Sequence, residues 1–365
     1  ARIDSMLLLD IPCSTSTTCS MPNQLLLRHR LKSLTRSRLG GSWPSFRNVA
    51  SKLFPKTFGN RATVLLVALW VPLGCSGQTS ASKTENAPFV TPDGWKPFQS
   101  YWYQGAEITR YELEQSRYGQ KRHGDLILVY VTENFLAKKQ VKHEFGPKDN
   151  AVPVLKLNAI RRFPTGIYDY SIMRSVFQPV KTDTYQHALK VSGSSQDWCG
   201  QAFYQLNHRE DHYQIRRFSY FQAEGDQQLE TEPVWQEDEL WTLLRTRPDW
   251  LPVGEVRVLP GFVFQRLAHV ELRPYTAQAK FAESNEDGLA TYQLKYKGLD
   301  RVLEFTFERK PPYRIIRIRE THKGTDGEMH TTVAKRTQEI MTDYWNKNRL
   351  QDEDLRKRLG LKQTF

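Results

Sequence analysis

Three consecutive stretches in the C-terminal third alternate apolar and polar residues, and each is followed by a very short connection. The stretches are ATYQLKY (290–296), VLEFTFER (302–309) and YRIIRIRE (313–320). The connections are 297–300, 310–312 and 323–327. A period of two residues is typical of a β-strand with one buried face. Because a crossover helix needs a dozen or more residues, these connections can only join neighbouring antiparallel strands.

The same alternation extends over most of the chain after residue 105. Further strands are predicted at 106–116, 152–160, 167–180, 189–206 and 213–221. In GDLILVYVTENF (124–135), residues 126–131 are apolar on both faces, which is typical of a strand covered on both sides. A sheet of about ten strands curls on itself or splits into layers. We therefore predict a mainly β fold, with a large curved antiparallel sheet or a barrel-like meander.

Two stretches predict helices. In WQEDELWTLLRTRPDW (235–250), three acids come first, apolar residues follow along one side, and Arg245 and Arg247 precede Pro248. This order matches the helix dipole and a proline stop. A second helical stretch is predicted at about 337–359. We expect one or two peripheral helices, with the 235–250 helix packed on or beside the sheet.

An apolar run near the N-terminus, 62–73, is followed at once by Gly74 and Cys75. As a helix this run would be about 18 Å long, and roughly 20 residues are needed to cross a bilayer. Basic residues precede the run and small polar residues follow it, which is the order of a signal peptide. The tetrapeptide Pro72-Leu73-Gly74-Cys75 resembles the bacterial lipobox, in which the cysteine is acylated. A buried core strand or helix is the alternative.

These features predict three parts of the chain. Residues 1–74 are a leader and signal peptide region whose true start lies nearer the apolar run, 75–88 a flexible lipoprotein tether, and 89–365 a single β-rich domain with a C-terminal helical segment. Acylation of Cys75 would make a membrane the first partner. Ser76 stands where an inner-membrane retention signal has Asp, so we expect the periplasmic face of a bacterial outer membrane.

Charge and cysteine content exclude several classes of function. The net charge is +12, but residues 1–74 hold ten Lys and Arg against two Asp, so the remainder carries only +4. No nucleic-acid partner is therefore predicted. Of the four cysteines, Cys13 and Cys19 lie in the leader and Cys75 would be acylated, which leaves Cys199. One thiol forms neither an intramolecular disulfide nor a cysteine-based zinc site, so no metal is predicted.

The most enzyme-like stretch is SSQDWCGQAFYQLN (194–207). Cys199 would need a base to become a nucleophile, and His187, His208 and His212 are near it in sequence. Trp198-Cys199-Gly200 resembles the thioredoxin motif, but Ala202 stands where the second cysteine would be. We favour a semi-buried cysteine in an aromatic sheet and keep catalysis by Cys199 as the alternative.

Other residues are candidates for binding. Glu112 and Glu114 share a strand face about 7 Å apart, which suits paired carboxylates but is commoner on a solvent face. Aromatic and basic side chains that could line a lipid or glycan cleft are Trp102, Tyr111, Arg117, Tyr168, Trp198 and Tyr220. The chain has no phosphate loop, dinucleotide fingerprint, HExxH or Gly-x-Ser-x-Gly motif, so no cofactor is predicted.

Five sequence stretches resemble those of a known group of proteins. They are YELEQSRYGQ (111–120), GDLILVYVTENF (124–135), GIYDYSIMRSVFQPV (166–180), SSQDWCGQAFYQLN (194–207) and SYFQAEGDQ (219–227). Over about 98–332 the chain resembles a group of uncharacterised bacterial lipoproteins, some of which carry the name septum formation inhibitor Maf. The resemblance implies a secreted, acylated protein and no established activity. The name would imply a cytosolic nucleotide pyrophosphatase with a Ser-x-Ser-x-Arg phosphate loop. Only 171–174 faintly matches that loop, so we disfavour this activity.

The sequence thus predicts a membrane-anchored periplasmic lipoprotein that binds a lipid, a glycan or an envelope protein. An envelope enzyme that uses Cys199 is the second hypothesis, and a purely structural envelope protein is the third. A concave pocket of several hundred Å³ would favour binding, and a histidine within hydrogen-bond reach of Cys199 would favour catalysis. A flat, filled sheet would favour the structural role.

Overall fold

The computed structural model describes residues 88–90, 96–181, 184–284 and 286–361. The predicted leader, Cys75 and all of the predicted tether except Pro88 lie outside the described residues. The strands are β1 (Ala106–Arg117), β2 (Gln120–Leu136), β3 (Val141–Lys142), β4 (Ala151–Thr165), β5 (Tyr168–Pro179), β6 (Lys190–Asp197), β7 (Gly200–His208), β8 (Tyr213–Ser219), β9 (Gln227–Thr231), β10 (Trp235–Gln236), β11 (Gly254–Leu259), β12 (Tyr275–Glu283), β13 (Leu289–Tyr296), β14 (Arg301–Glu308), β15 (Ile315–Lys323) and β16 (Met329–Thr342). The helices are α1 (Lys96–Trp102), α2 (Glu237–Thr246), α3 (Phe262–Ala268) and α4 (Asp354–Arg358).

All of these strands belong to one large open sheet. Its order is β10-β11-β12-β13-β14-β15-β16-β1-β2-β4-β5-β6-β7-β8-β9, and β3 pairs with β2. Among the described strands, every pairing is antiparallel except that of β10 with β11. The prediction of a mainly β fold with a large antiparallel sheet is confirmed. Short connections account for most of these antiparallel pairs, while β16 and β1 pair although they are distant in sequence.

Several turns lie at one end of the strands of this sheet, and we call this end the mouth edge. Four of them are neighbours: 118–119, 166–167, 198–199 and 324–328, which join β1 to β2, β4 to β5, β6 to β7 and β15 to β16. These strands are consecutive in the sheet, so their turns lie side by side. The β8–β9 turn, 220–226, and the β13–β14 turn, 297–300, lie at the same end. The β14–β15 connection, 309–314, and the β7–β8 connection, 209–212, lie at the opposite edge.

Helix α2 lies inside the curved sheet. All residues from Glu237 to Arg245 are buried, and their ion pairs reach β1, β5 and β14. The predicted helix at 235–250 packs on the sheet, as expected, but on its inner face, where it is buried and not peripheral. The sheet and its loops supply an opposite charge to each acid of its first turn and to Arg245. Among the described residues, no helix is long and apolar enough to cross a membrane.

Two further expectations about secondary structure are corrected. The predicted strand 189–206 is a hairpin, β6 and β7, with its turn at Trp198 and Cys199. The predicted helix 337–359 is strand for its first part, because β16 continues to Thr342 in register with β1. Only the last turns are helical, and the longest of them is α4.

The apolar residues on both faces of β2 have different partners. Leu126, Leu128 and Tyr130 point into the main core, which forms one cluster with α2 and the inner face of the sheet. On the outer face, Ile127 and Val129 pack in a second cluster that includes residues of α4 and the chain end, namely Leu355, Leu359 and Leu361. The strand is thus covered on both sides, as its sequence indicates.

Candidate ligand-binding site

A cleft of about 430 Å³ opens at the mouth edge, and we call it the mouth cleft. Helix α3 forms one wall, and the β1–β2 and β15–β16 turns form the other. The residues on which its chemistry depends are Arg117, Tyr118, Arg161, Val263, Phe264, Leu267, Ala268, Glu320, His322, Lys323, Asp326 and His330. Its volume falls within the range of about 300–1,000 Å³ that is typical of small-molecule sites.

Helix α3 reaches this position because one strand residue has no side chain. A Cβ atom at Gly193 of β6 would overlap the ring of Phe262, the first residue of α3. The Phe262 ring stacks on Tyr204 of β7, with ring centroids 5.8 Å apart. The backbone N–H of Phe262 donates to Asp238 Oδ2 of α2 at 2.9 Å. The sheet and α2 together therefore hold the apolar wall of the cleft.

Arg117, at the end of β1, connects the two walls. Its Nη1 donates to the carbonyl of Leu267 in α3 at 2.5 Å. Its Nη2 donates to the hydroxyls of Tyr170 at 3.1 Å and Tyr118 at 3.4 Å. Burial acts to lower the pKa of Arg117, but the bonds to Tyr170 and Tyr118 outweigh it and raise that pKa. Arg117 is therefore a permanent cation, and its hydrogen bonds within the described chain all go to neutral oxygens.

Arg161 of β4 is the deepest cation of the mouth cleft, with only 5% of its surface exposed. Its Nη1 donates to Gln115 Oε1 at 2.6 Å, and Gln115 Nε2 donates to Thr332 Oγ1 at 3.0 Å. Its Nε is buried without an acceptor from the described residues. Burial lowers the pKa of Arg161 to about 10, although the nearby carboxylate of Glu320 opposes this shift. The guanidinium is still charged at neutral pH.

Two histidines stand on the same side of the cleft. The His322 ring packs edge-on against Phe264, with centroids 5.5 Å apart, and its buried Nδ1 has no partner in the described protein. Burial lowers the pKa of His322. His330 Nε2 lies 2.9 Å from both carboxylate oxygens of Asp326. Among the described residues, no group of three or more His, Cys, Asp or Glu is arranged to hold a metal ion.

The carboxylates of the mouth cleft have basic partners, whereas its cations are not hydrogen-bonded to a carboxylate in the described chain. Its three permanent cations are Arg117, Arg161 and Lys323, and its carboxylates are Glu320 and Asp326. Both carboxylates already have partners, because Arg301 Nε donates to Glu320 at 2.9 Å and His330 binds Asp326. The arrangement therefore presents hydrogen-bond donors and positive charge opposite an apolar helix, which is the chemistry of a binding site.

Four of the six predicted binding residues lie at the mouth edge. Arg117 lines the cleft. The hydroxyl of Tyr168 is 3.2 Å from that of Tyr118, and the Tyr168 ring centroid is 6.4 Å from that of Trp198. Tyr220 lies against the backbone of Gly200 in the next hairpin. Trp198 and Tyr220 are 73% and 79% exposed, so they form an aromatic rim beside the cleft.

The other two predicted binding residues are core residues. Trp102 of α1 is 2% exposed, and its ring lies 5.0 Å from the Arg245 guanidinium carbon. Tyr111 faces the interior from the middle of β1 and donates to the carbonyl of Ile315 at 2.7 Å. They are absent from the cleft lining. Glu114 is half-buried on the outer face and pairs with Lys121.

Cys199 does not meet the histidines that were considered as its base. It lies exposed in the β6–β7 turn, and its backbone N–H donates to Asp197 Oδ1 at 2.8 Å. His208 is at the far end of β7, a nine-residue strand about 27 Å long. His187 binds Glu239, and His212 binds Asp211. The expectation of a semi-buried cysteine is also wrong, because the thiol belongs to a turn.

The sequence interpretation missed Arg161 and His322. Arg161 follows Leu157 and Ala159 at the same two-residue spacing, and the next inward residue is Phe163. A charge in an otherwise apolar inward row was the signal that could have identified it. His322 carried no such signal, because its row in β15 is mixed.

Comparison with known proteins identifies no relative. No protein-family model, no curated protein and no solved structure matches this chain. We therefore interpret the mouth cleft from its own residues.

Proposed function

We propose that this protein is a membrane-tethered binding protein of the bacterial envelope, anchored through acylated Cys75 at the periplasmic face of the outer membrane. Its ligand occupies the mouth cleft. One observation carries this proposal: a ligand-sized cleft is lined by two arginines, Arg117 and Arg161, whose hydrogen bonds in the described protein go only to neutral groups. The Nε atom of each arginine and His322 Nδ1 are also buried without a hydrogen-bond partner among the described residues.

Such nitrogen atoms are costly unless something else binds them. A buried donor without an acceptor costs about 1–3 kcal/mol. A ligand that accepts hydrogen bonds from the accessible guanidinium nitrogens in the mouth cleft adds bonds to these incompletely paired side chains, so its binding is favoured beyond the area that it buries. The hydrogen bond from Arg117 to the Leu267 carbonyl holds α3 against the β1–β2 turn and so fixes the shape of the cleft.

The entry point of the chain is compatible with a tether. The backbone N–H of Val90 donates to the carbonyl of Arg309 at 2.8 Å, at the edge opposite the mouth edge. Residues 76–88 between the predicted anchor and Phe89 can span at most about 45 Å. With the anchor attached at that edge, the mouth cleft remains accessible to a ligand.

The anchor is tested by intact mass of the protein purified from native membranes. Wild type is expected to carry three acyl chains on an N-terminal Cys75, and Cys75→Ser is expected to lose them. Cys199→Ser is the matched control and keeps the acyl mass. An unacylated wild-type chain in the soluble fraction would contradict the proposed anchor.

The ligand site is tested by analysing what leaves the native membrane with the protein. The acylated protein is isolated in polymer-bounded nanodiscs without detergent, and its bound molecules are identified by mass spectrometry. Ala268→Trp fills the cleft and is expected to lose a molecule that wild type retains, whereas Ala223→Trp, on an exposed loop outside the cleft, retains it. Equal retention by both variants would place the ligand elsewhere.

A further inference from the structure

We infer that the mouth cleft selects an anionic amphiphile. Its carboxylate or phosphate head is bound by Arg161 and Arg117, and its apolar body lies on α3. This inference rests on the proposed function, because it takes the mouth cleft as the ligand site. It adds the chemical class of the ligand, which the proposed function leaves open.

The head group follows from the donors on the polar wall. A guanidinium has five N–H donors in a fork that fits carboxylate and phosphate oxygens. Arg161 hydrogen-bonds to Gln115 alone among the described residues, and its Nη2, which has no bond there and is not one of the buried unpartnered atoms, can donate to a ligand. Arg117 lines the same cleft and adds a second guanidinium charge. An anion with two or three acceptor oxygens can bind both guanidinium groups, whereas a hydroxyl group satisfies fewer donors.

The charge balance also favours an anion. Burial acts to raise the pKa of Glu320, but the Arg301 and Arg161 charges outweigh it and lower that pKa, so Glu320 is ionised. Its bond to Arg301 at 2.9 Å keeps it in place beside the cleft. Arg117 and Lys323 have no carboxylate partner in the described chain, and they supply the positive charge that a ligand anion would neutralise.

The apolar body follows from the opposite wall. Val263, Phe264, Leu267 and Ala268 present one side of α3 to the cleft. The His322 ring extends this surface by its edge-on contact with Phe264. Each methylene group that leaves water for such a surface strengthens binding about fourfold. A small inorganic anion would satisfy the donors and leave this wall in water.

The central experiment measures head-group selectivity by calorimetry on the acylated protein in nanodiscs, with empty nanodiscs as the baseline. The probes are octanoate, octyl phosphate, octanol, hexanoate and inorganic phosphate. We expect one or both anionic octyl compounds to bind at least 10-fold more tightly than octanol. We expect octanoate to bind about 15-fold more tightly than hexanoate, because it has two more methylene groups. The octanoate and octyl phosphate arms separate a carboxylate ligand from a phosphate ligand.

Two variants at one position isolate charge from shape. Ala268→Glu places a carboxylate in the cleft, and Ala268→Gln places an uncharged side chain of nearly the same size there. We expect Ala268→Glu to bind the anionic probes at least 10-fold more weakly than Ala268→Gln does. We expect the affinities of the two variants for octanol to differ by less than threefold. Ala268 is only partly buried, so both variants are expected to fold.

A second pair tests the cation itself. Arg161→Gln is expected to reduce the preference for anions over octanol by about 10- to 100-fold. Arg162→Gln, at the next residue of β4, is the matched control, because Arg162 is exposed on the outer face. It is expected to keep the wild-type preference. If Arg161→Gln fails to fold, the Ala268 pair decides the matter.

The outcomes separate this inference from the proposed function. If octanol binds as tightly as the anionic probes, or inorganic phosphate as tightly as octyl phosphate, the inference is wrong and the proposed function stands. If the nanodisc analysis finds a neutral glycan in the cleft, the inference is also wrong while the proposed function stands. If no probe binds and no molecule is retained from the membrane, both fail.

Discussion

The interior around α2 and the mouth cleft both bury charged side chains, but they pair them differently. In the interior, each acid in the first turn of α2 is bound by a base from the surrounding sheet or its loops, and Arg245 near the end of the helix is bound by an acid. The pairs are Glu237–Arg301, Asp238–Arg174, Glu239–His187 and Glu107–Arg245. In the cleft, Arg117 and Arg161 are hydrogen-bonded only by neutral groups. Charges that organise the fold are thus paired within the chain, and those at the mouth edge leave donors for another molecule.

The pKa shifts describe the same contrast. Burial alone would raise the pKa of Glu107, but the bidentate contact with Arg245 outweighs it and the pKa is lowered. Asp238 has a bond to Arg174 through one nitrogen only, and there burial prevails and raises the pKa. Both remaining Arg174 nitrogens, Nε and Nη2, have no hydrogen-bond partner among the described residues, but the guanidinium carbon lies 3.8 Å from the Trp241 ring centroid. Arg161 lines the cleft, and burial lowers its pKa. The bidentate pair thus outweighs burial at Glu107, whereas the single bond at Asp238 does not.

The largest effect is expected when an interior pair is broken. Arg245→Met leaves the Glu107 carboxylate buried without its two guanidinium bonds, each 2.6 Å long. We expect the free energy of unfolding in urea to fall by about 3–5 kcal/mol. Arg247→Met is the matched control two residues away, because Arg247 is partly exposed and pairs with Asp249. The free energy of unfolding of Arg247→Met should fall by less than about 1 kcal/mol.

A double variant sharpens this test. Replacing both partners, with Arg245→Met and Glu107→Leu, removes the unpaired charge, so the loss should be smaller than for Arg245→Met alone. If Arg245→Met and Arg247→Met destabilise the protein equally, the interior pair does not hold α2.

A smaller effect is expected where the fold positions the cleft. Gly193→Ala introduces a Cβ that overlaps the Phe262 ring, so α3 must shift or the strand must move. We expect a loss of about 1–3 kcal/mol in the free energy of unfolding. Because α3 carries the apolar wall, octanoate binding should weaken as well. In a Phe262→Ala background, the same Gly193→Ala substitution should cost much less, and an equal cost in both backgrounds would show that the two residues are not in contact.

At the cleft itself, we expect that replacing a buried arginine hardly changes the free energy of unfolding, in direct contrast to Arg245 in the interior. Arg161→Met removes a guanidinium whose burial is offset by a single bonded side chain, Gln115. We expect the free energy of unfolding to change by less than about 1 kcal/mol, or to rise, while the preference for anions is lost. Denaturation and calorimetry on one preparation measure both. A loss as large as that of Arg245→Met would make Arg161 a structural residue and remove the contrast.

Most of the sheet could be predicted from sequence because most of its pairing is local. Each short connection joins a strand to the next one, and the two-residue alternation fixes which residues face inward. The pairing of β1 with β16 is distant in sequence and had no such signal. The β6–β7 hairpin was missed, although the inward residues change there from odd positions, such as Val191 and Ser195, to even ones, such as Ala202 and Tyr204. That change of parity is the trace of the turn.

The interior helix and the cleft could not be predicted because their contacts are distant in sequence. Arg245 and Glu107 are 138 positions apart, and Gln115 and Thr332 are 217 apart. A periodic pattern indicates which face of an element is buried, but it does not say which charge will be brought opposite. The 235–250 stretch therefore looked like a surface helix. Arg117 was identified as a candidate, yet its role depends on Leu267, which only the packing of α3 places beside it.

The smallest effect is expected in the pH dependence of stability, and it separates the two regions by a different property. The pKa of His322 at the cleft is lowered by burial, and so is that of His208, which is far from the cleft. His322 faces Glu320, Arg301, His330 and Arg117, and burial outweighs the opposing effect of Glu320. Between the lowered value and the unfolded value of about 6.5, the unfolded chain binds more protons. Stability is therefore expected to fall as the pH drops below about 6.5.

Urea denaturation at several pH values measures this effect. The free energy of unfolding should depend less steeply on pH in both His322→Gln and His208→Gln. Saturating octanoate should also reduce the dependence of wild type, because a bound anion favours the protonated form of His322. The same ligand should leave the dependence of His322→Gln unchanged and still reduce that of His208→Gln. If octanoate acts equally on both variants, the anion does not lie beside His322.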